Sequence, residues 1–127
     1  MASAVVIGAS GGIGRALTET ILARGRHDVV HALSRSGAAV KGAETSIIDI
    51  LDEDSIAAAA DGVGACDLVV VATGLLHDGD YGPEKSMRVL DRDDLSRAFA
   101  LNAIGPALVA KHFLKRLPKE GRSTFAA

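Results

Sequence analysis

Seven residues near the amino terminus, Gly8-Ala9-Ser10-Gly11-Gly12-Ile13-Gly14, follow directly on the apolar run Ala4-Val5-Val6-Ile7. A strand that ends in glycines and runs into a helix leaves free backbone amides above its last residue. Together with the positive end of the helix dipole, such amides cradle a pyrophosphate. Glycine is needed where the chain turns with positive φ, where it approaches the phosphates, and where the helix packs closely on the strand. Gly8, Gly12 and Gly14 are placed for these tasks, and Ser10, Gly11 and Ile13 lie between them within reach of the same group. The plain alternative is a glycine-rich turn that binds nothing, but the strand-turn-helix context favours a ligand.

Two other stretches carry candidate chemistry. After the second apolar run stands Ser34-Arg35-Ser36, at the place where an acidic residue would hold the ribose 2′-hydroxyl of NAD. A guanidinium forks onto a phosphate bidentately. Arg35 therefore points to NADP, with NAD still open, Ser34 can add a hydroxyl bond, and Arg15 could assist from the first helical turn. A solvated loop arginine is the bland alternative. Farther on, Pro106 in Asn102-Ala103-Ile104-Gly105-Pro106 lacks the amide that a helix would offer to the carbonyl four residues back, which is that of Asn102. Asn102 is either a residue with a freed carbonyl or a polar residue at a kink.

The elements that must position these groups follow from periodicity. Beyond the glycines, Ile13, Leu17 and Ile21 recur four apart as one helix face, closed by Arg24 and Gly25. Residues 29–33 form a second strand, 34–42 a polar loop, and 45–50 a third strand. Asp52, Glu53 and Asp54 open a short helix over 55–60, and 68–72 is the most hydrophobic strand. Residues 74–90 are long for a plain connection and read as a functional loop. Asp91 caps a helix over about 92–117, apolar over much of its circumference between Phe99 and Phe113, and 122–127 starts a fifth strand. Strands alternating with helices predict a Rossmann-like, doubly wound parallel sheet of about five strands.

The 127 residues fit a single globular domain, and 16 acidic against 14 basic residues leave a net charge of −2. That balance argues against nucleic acid or an anionic membrane as partner. Aromatics are only 3% of the chain, so the core must be built from Ala, Val, Ile and Leu, which suits a buried parallel sheet. The lone Cys66 cannot form an internal disulfide, and no apolar run approaches the length of a membrane span. The expected protein is soluble and cytoplasmic. His27, His31, His77 and His112 are scattered without a Cys partner, so no metal site is expected, and Cys66 reads as a small buried apolar residue.

The Gly-x-x-x-Gly-x-Gly spacing of Gly8, Gly12 and Gly14 resembles that of the short-chain dehydrogenase/reductase family, and further matches fall in order. Asp49, with Ile50 beside it, ends the third strand, where that family uses an Asp to hold the adenine. Ala72-Thr73-Gly74 ends the fourth, a partial match to the family's Asn-Asn-Ala-Gly. Asn102 fits the first member of the family's Asn-Ser-Tyr-Lys catalytic set, in which its freed carbonyl holds a water in a proton relay. The loop with Leu76-His77-Asp78 is similar to that of the small C-factor-like reductases. The resemblance covers essentially the whole chain and implies an NADP-dependent oxidoreductase acting on a small carbonyl or alcohol.

It also implies what is absent. The family's Ser and Tyr-x-x-x-Lys come after the fifth strand, so these residues correspond to the amino-terminal half of a reductase and should be inactive alone. Tyr81-Gly82-Pro83-Glu84-Lys85 spells the pair, but Pro83 and Gly82 oppose the helical turn needed to bring Tyr and Lys together. It also precedes Asn102, whereas the family's pair follows. Without later strands the fifth strand keeps an open edge and the long helix an uncovered face, so self-association is expected. The competing reading is a non-enzymatic dinucleotide-binding sensor or regulatory module.

Overall fold

The computed structural model describes residues 2–75 and 82–127. Tyr81 and the Leu76-His77-Asp78 stretch lie outside them. Five strands, β1 (Ser3–Ile7), β2 (Val29–Ser34), β3 (Glu44–Ile47), β4 (Leu68–Val71) and β5 (Thr124–Ala126), form one sheet in the order β3-β2-β1-β4-β5, and every pair is parallel. The expected doubly wound architecture is the one observed. β1 lies at the centre with all five residues buried, which explains why its sequence is apolar without alternation. β3 is an edge strand with all four residues exposed. The strand expected over 45–50 ends at Ile47, and the buried Ile48 and Ile50 belong to the segment that follows.

Side chains of β1 and β2 alternate between two layers. Val5, Ile7 and Leu33 join Ile48, Ile50, Ile56, Val69, Val71, Val109 and Phe113 on one face, whereas Val6 and Ala32 meet Ala9 and Val40 on the other. The first layer is covered by α2 (Glu53–Val63) and α4 (Gly105–Phe113), the second by α1 (Gly12–Arg24). Phe113 is fully buried, and burying a side chain of this size contributes about 2–3 kcal/mol. Phe125, half-buried, packs against the same core of branched aliphatics and alanines.

The helix ends follow their sequences. Asp52 accepts the Asp54 amide at the start of α2, and Asp91 accepts the amides of Asp93 and Asp94 at the start of α3 (Arg92–Phe99). Gly25 ends α1 at φ 59°, and its amide donates to the Leu22 carbonyl. α1 buries the face expected from Ile13, Leu17 and Ile21 only in part: Leu17 and Ile21 are half-buried, with Ile21 packed against the layer of Val6 and Ala32. Ile13 is 74% exposed, and the buried line runs through Gly14 and Thr18. Small residues win because the helix lies so close to the sheet: a Cβ on Gly14 would stand 2.0 Å from the Gly8 carbonyl oxygen. Thr18 turns its hydroxyl back onto the Gly14 carbonyl at 2.8 Å.

The single long helix expected over 92–117 is interrupted. Between α3 and α4 the backbone widens into a π-turn at Ala100–Ile104, where Gly105 donates to the Ala100 carbonyl five residues back, and a 3-10 turn at Leu114–Arg116 ends the run. The widening sets Pro106 in the first turn of α4, where a missing amide costs little. Burial is one-sided as well. Gly105, Val109 and Phe113 face the core, while Phe99 and Ile104 are mostly exposed.

Ion pairs tie the helices together: Glu53 of α2 accepts from Lys111 and from His112 Nε2 of α4 at 2.5 and 2.9 Å, and Arg116 pairs with Asp61. The two bonds hold the Glu53 carboxyl below its ordinary range. Substituting Gly14→Ala should push α1 off β1 and lower stability by about 2 kcal/mol or more. Gly62→Ala, where a Cβ meets nothing within 4 Å, should raise stability by up to about 1 kcal/mol. Urea midpoints at unchanged m-value check both.

Candidate functional site

The strand order reverses between β1 and β4, and ligands of open parallel sheets bind in the crevice beyond the carboxyl ends of strands at such a point. A cleft of about 330 Å³ lies there, lined by Gly8, Ser10, Gly11, Ser34, Arg35, Ile48, Ile50, Ala72, Thr73, Gly74, Leu75, Arg97 and Leu101. Its volume falls in the range of small-molecule sites.

The turn at its base is built from backbone bonds. The amides of Gly8 and Ala9 donate to the Leu33 carbonyl of β2, at 2.8 and 3.1 Å, and Gly11 donates to the Gly8 carbonyl at 3.1 Å. Gly8 has φ 89°, and a Cβ on it would lie 2.9 Å from the Ala72 carbonyl, so its glycine is fixed by both conformation and contact with the end of β4. Gly12 differs. It has no positive φ, and a Cβ there would meet nothing within 4 Å. Packing among the described residues does not require glycine there. α1 starts there with neither a side-chain cap at Gly11 nor an acidic residue in its first turn, so its leading amides have no partner supplied by those residues.

Of the residues singled out from the sequence, Gly8, Ser10, Gly11, Ser34, Arg35, Ile50, Ala72, Thr73 and Gly74 come together in the cleft wall. Gly12, Ile13 and Gly14 continue from it into α1. Asp49 is outside the wall: its carboxylate accepts the Leu51 amide at 3.0 Å, and its amide donates to Ser55 Oγ at 2.9 Å. Arg15 is likewise outside and pairs with Glu19 at 3.1 Å. The Ser34 hydroxyl accepts the Gly37 amide at 3.1 Å, which orders the turn carrying Arg35. Thr73 Oγ1 is buried and has no hydrogen-bond partner among the described residues, a condition that a polar ligand would relieve.

Asn102 stands in the π-turn and reaches the segment after β4. Its Oδ1 accepts the Leu75 amide at 2.7 Å while its Nδ2 donates to the Leu75 carbonyl at 3.0 Å. One side-chain amide thus clamps both backbone groups of a residue in the cleft wall. Ile48, Leu75, Arg97 and Leu101 were not anticipated as lining residues. Ile48 could have been found from its alternation with Ile50 about Asp49, and Arg97 and Leu101 from their four-residue spacing.

The remaining titratable groups serve the frame. His27 Nε2 lies 3.1 Å from Asp67, and His31 Nδ1 lies 3.8 Å from Glu44. Burial pulls the His31 pKa down and pushes the Cys66 thiol up. Among the described residues no group of His, Cys, Asp and Glu could hold a metal ion, and no helix is long and apolar enough to cross a membrane.

Residues 8–122 match the family described as NAD(P)H-binding. None of the curated proteins matches the sequence. Among solved structures, a carbonyl reductase from Pseudomonas aeruginosa PAO1 is 22% identical, with a TM-score of 0.78 over 94% of this chain and 58% of its own. The NADPH-bound carbonyl reductase from chicken fatty liver is also 22% identical, with a TM-score of 0.77 over 90% of this chain and 47% of its own. A short-chain dehydrogenase from Streptomyces avermitilis is 27% identical, with a TM-score of 0.74 over 91% and 44%. The chain therefore spans about half the length of the structures it resembles. With the glycine turn at the strand-order reversal and a family match over nearly all its residues, the chain belongs to the NAD(P)H-binding family and has the fold of short-chain dehydrogenase/reductases.

Proposed function

We propose that this chain binds NADP(H) in the cleft beyond β1 and β4, as the cofactor-holding part of a reductase for a small carbonyl or alcohol. The observation that carries the reading is the pairing of an uncapped helix start at Gly12, open above and next to the wall residue Gly11, with Arg35 in the cleft wall. Pyrophosphate sits on the amides of Ser10, Gly12 and Ile13, with Gly8, Gly11 and Gly14 allowing the turn and the close helix. Arg35 and Ser34 hold the 2′-phosphate. Ile50 borders the adenine, with Asp49 next to it outside the wall bracing the segment through the Leu51 amide, and Ala72, Thr73 and Gly74 border the ribose beyond. The bound nicotinamide would supply hydride chemistry. Asn102 fixes the Leu75 backbone along the cofactor's path, and it would hold a relay water at its carbonyl where a full catalytic set is present.

The only tyrosine of these residues precedes Gly82-Pro83, which opposes its use as a proton donor beside Lys85. The reading therefore makes the 127-residue chain a binder without turnover, the amino-terminal portion of a reductase. A dinucleotide-binding sensor or regulatory module is the second reading, favoured by the same tyrosine. Leu90, Phe99 and Ile104 leave an apolar groove on the outer side of α3 and the π-turn, which supports self-association. The single buried Cys66 suits a reducing compartment, the cytoplasm.

Calorimetric titration should show NADP binding more tightly than NAD. Arg35→Ala should remove most of that preference, at a cost of about 1.5–3 kcal/mol toward NADP. Gly12→Val should weaken both cofactors without lowering the melting temperature. Equal, weak binding of both cofactors by the wild type, with affinity poorer than about 1 mM, would sink the reading. The chain alone should reduce no ketone or aldehyde in an NADPH-consumption assay. Sedimentation at high micromolar concentration should show a dimer or larger species.

A further inference from the structure

The walls of the cleft sort by chemistry. Ser10, Gly11, Ser34 and Arg35 form its polar end, whereas Ile48, Ile50 and Leu101 form an apolar floor. Among the described residues no carboxylate lines it, although the whole chain carries a net charge of −2. Two arginines do. Arg35 comes from the end of β2, and Arg97 comes from α3 on the other side. The helix approaches that floor closely: a Cβ on Gly105 would lie 2.9 Å from Ile50 Cδ1, and Leu101, one turn earlier, packs on the core cluster that contains Ile48 and Ile50. Arg97 lies one further turn toward the amino end of α3. It is exposed and still lines the cleft, so it stands at the mouth above the apolar floor.

A flat purine resting on Ile48, Ile50 and Leu101 keeps one face toward that mouth. A guanidinium is planar, weakly hydrated and well suited to lie on an aromatic face, where an ammonium offers only a point charge. On the reading that the cleft holds NADP, we propose that Arg97 is a further specificity-determining residue whose guanidinium covers the adenine ring. Arg35 and Arg97 then have separate tasks: the first meets the 2′-phosphate, the second meets the base.

The test is calorimetric titration of the 127-residue chain, its Arg97→Ala variant and its Arg97→Lys variant with NADP and with adenosine 2′-monophosphate, at low and high salt. Arg97→Ala should weaken both ligands by the same factor, about three- to tenfold. Arg97→Lys should recover less than half of the loss on a logarithmic scale, and the loss should persist at high salt. Unchanged NADP affinity in Arg97→Ala overturns the proposal. So does loss for NADP without loss for the monophosphate, which would put the contact on the other half of the cofactor. Full rescue by lysine, with a deficit that vanishes at high salt, would mark a phosphate contact and also overturn it. Failure of the wild type to bind NADP overturns the dinucleotide reading and this inference together, whereas wild-type binding with an indifferent Arg97→Ala removes Arg97 alone. Unchanged far-ultraviolet dichroism verifies the fold of both variants.

Discussion

The close approach of α1 to the end of β1, at Gly14 against the Gly8 carbonyl, is the contact on which the site depends. It leaves no room for a methyl group. Because the helix is pressed onto the strand there, its first amides are brought over the carboxyl ends of the strands instead of standing off behind a layer of side chains. The buried line of Gly14 and Thr18, the thin core layer beneath α1 and the outward position of Ile13 all follow from that proximity. The opposite face, where aliphatic side chains and Phe113 fill the gap to α2 and α4, carries the thicker layer of the core.

The electrostatics of the cleft rest on a division between fixed and adjustable groups. Backbone amides at the start of α1 are held in place by a turn that the Gly8 and Ala9 amides pin to the Leu33 carbonyl, so a ligand that meets them does so without ordering flexible side chains. Arg35 sits on a turn held by the Ser34 hydroxyl, and Leu75 is held by Asn102. The acidic majority of the chain is used elsewhere, at the starts of α2 and α3 and in pairs with Lys111, His112 and Arg116. An excess of carboxylates on the molecule is therefore compatible with a cleft that would attract an anion.

Much of this was legible in the residues. The strand-turn-helix with its glycines, the parallel order, and the helix starts at Asp52 and Asp91 each depend on local backbone chemistry that sequence records directly. What sequence could not show depends on tertiary contact. The face of α1 was misread in part because apolar periodicity is a proxy for burial, and at very close packing the small residues go inward. The π-turn before Pro106 was read as a kink in one helix, since a local rule names the missing amide but does not say where the backbone will absorb it. The four-residue spacing of Arg97 and Leu101 puts them on one face, but that this face lines the cleft depends on how α3 and the π-turn lie over the segment after β3.

β1 is the first strand of the chain, and its two neighbours, β2 and β4, come from segments well separated from each other in sequence. One side of the central strand can be paired as soon as residues 29–34 are available, but the other waits for residues 68–71. The cleft has its walls on both sides of that seam, with Gly8 against Ala72. Pairing of β1 with β4 and creation of the binding site are thus a single folding event, and the strand pairing of widest sequence separation is the one that makes the ligand's place. Any molecule that binds there holds β1 and β4 together, so occupancy acts as a latch on the most non-local pairing in the protein, and the ligand shares in the thermodynamics of folding itself.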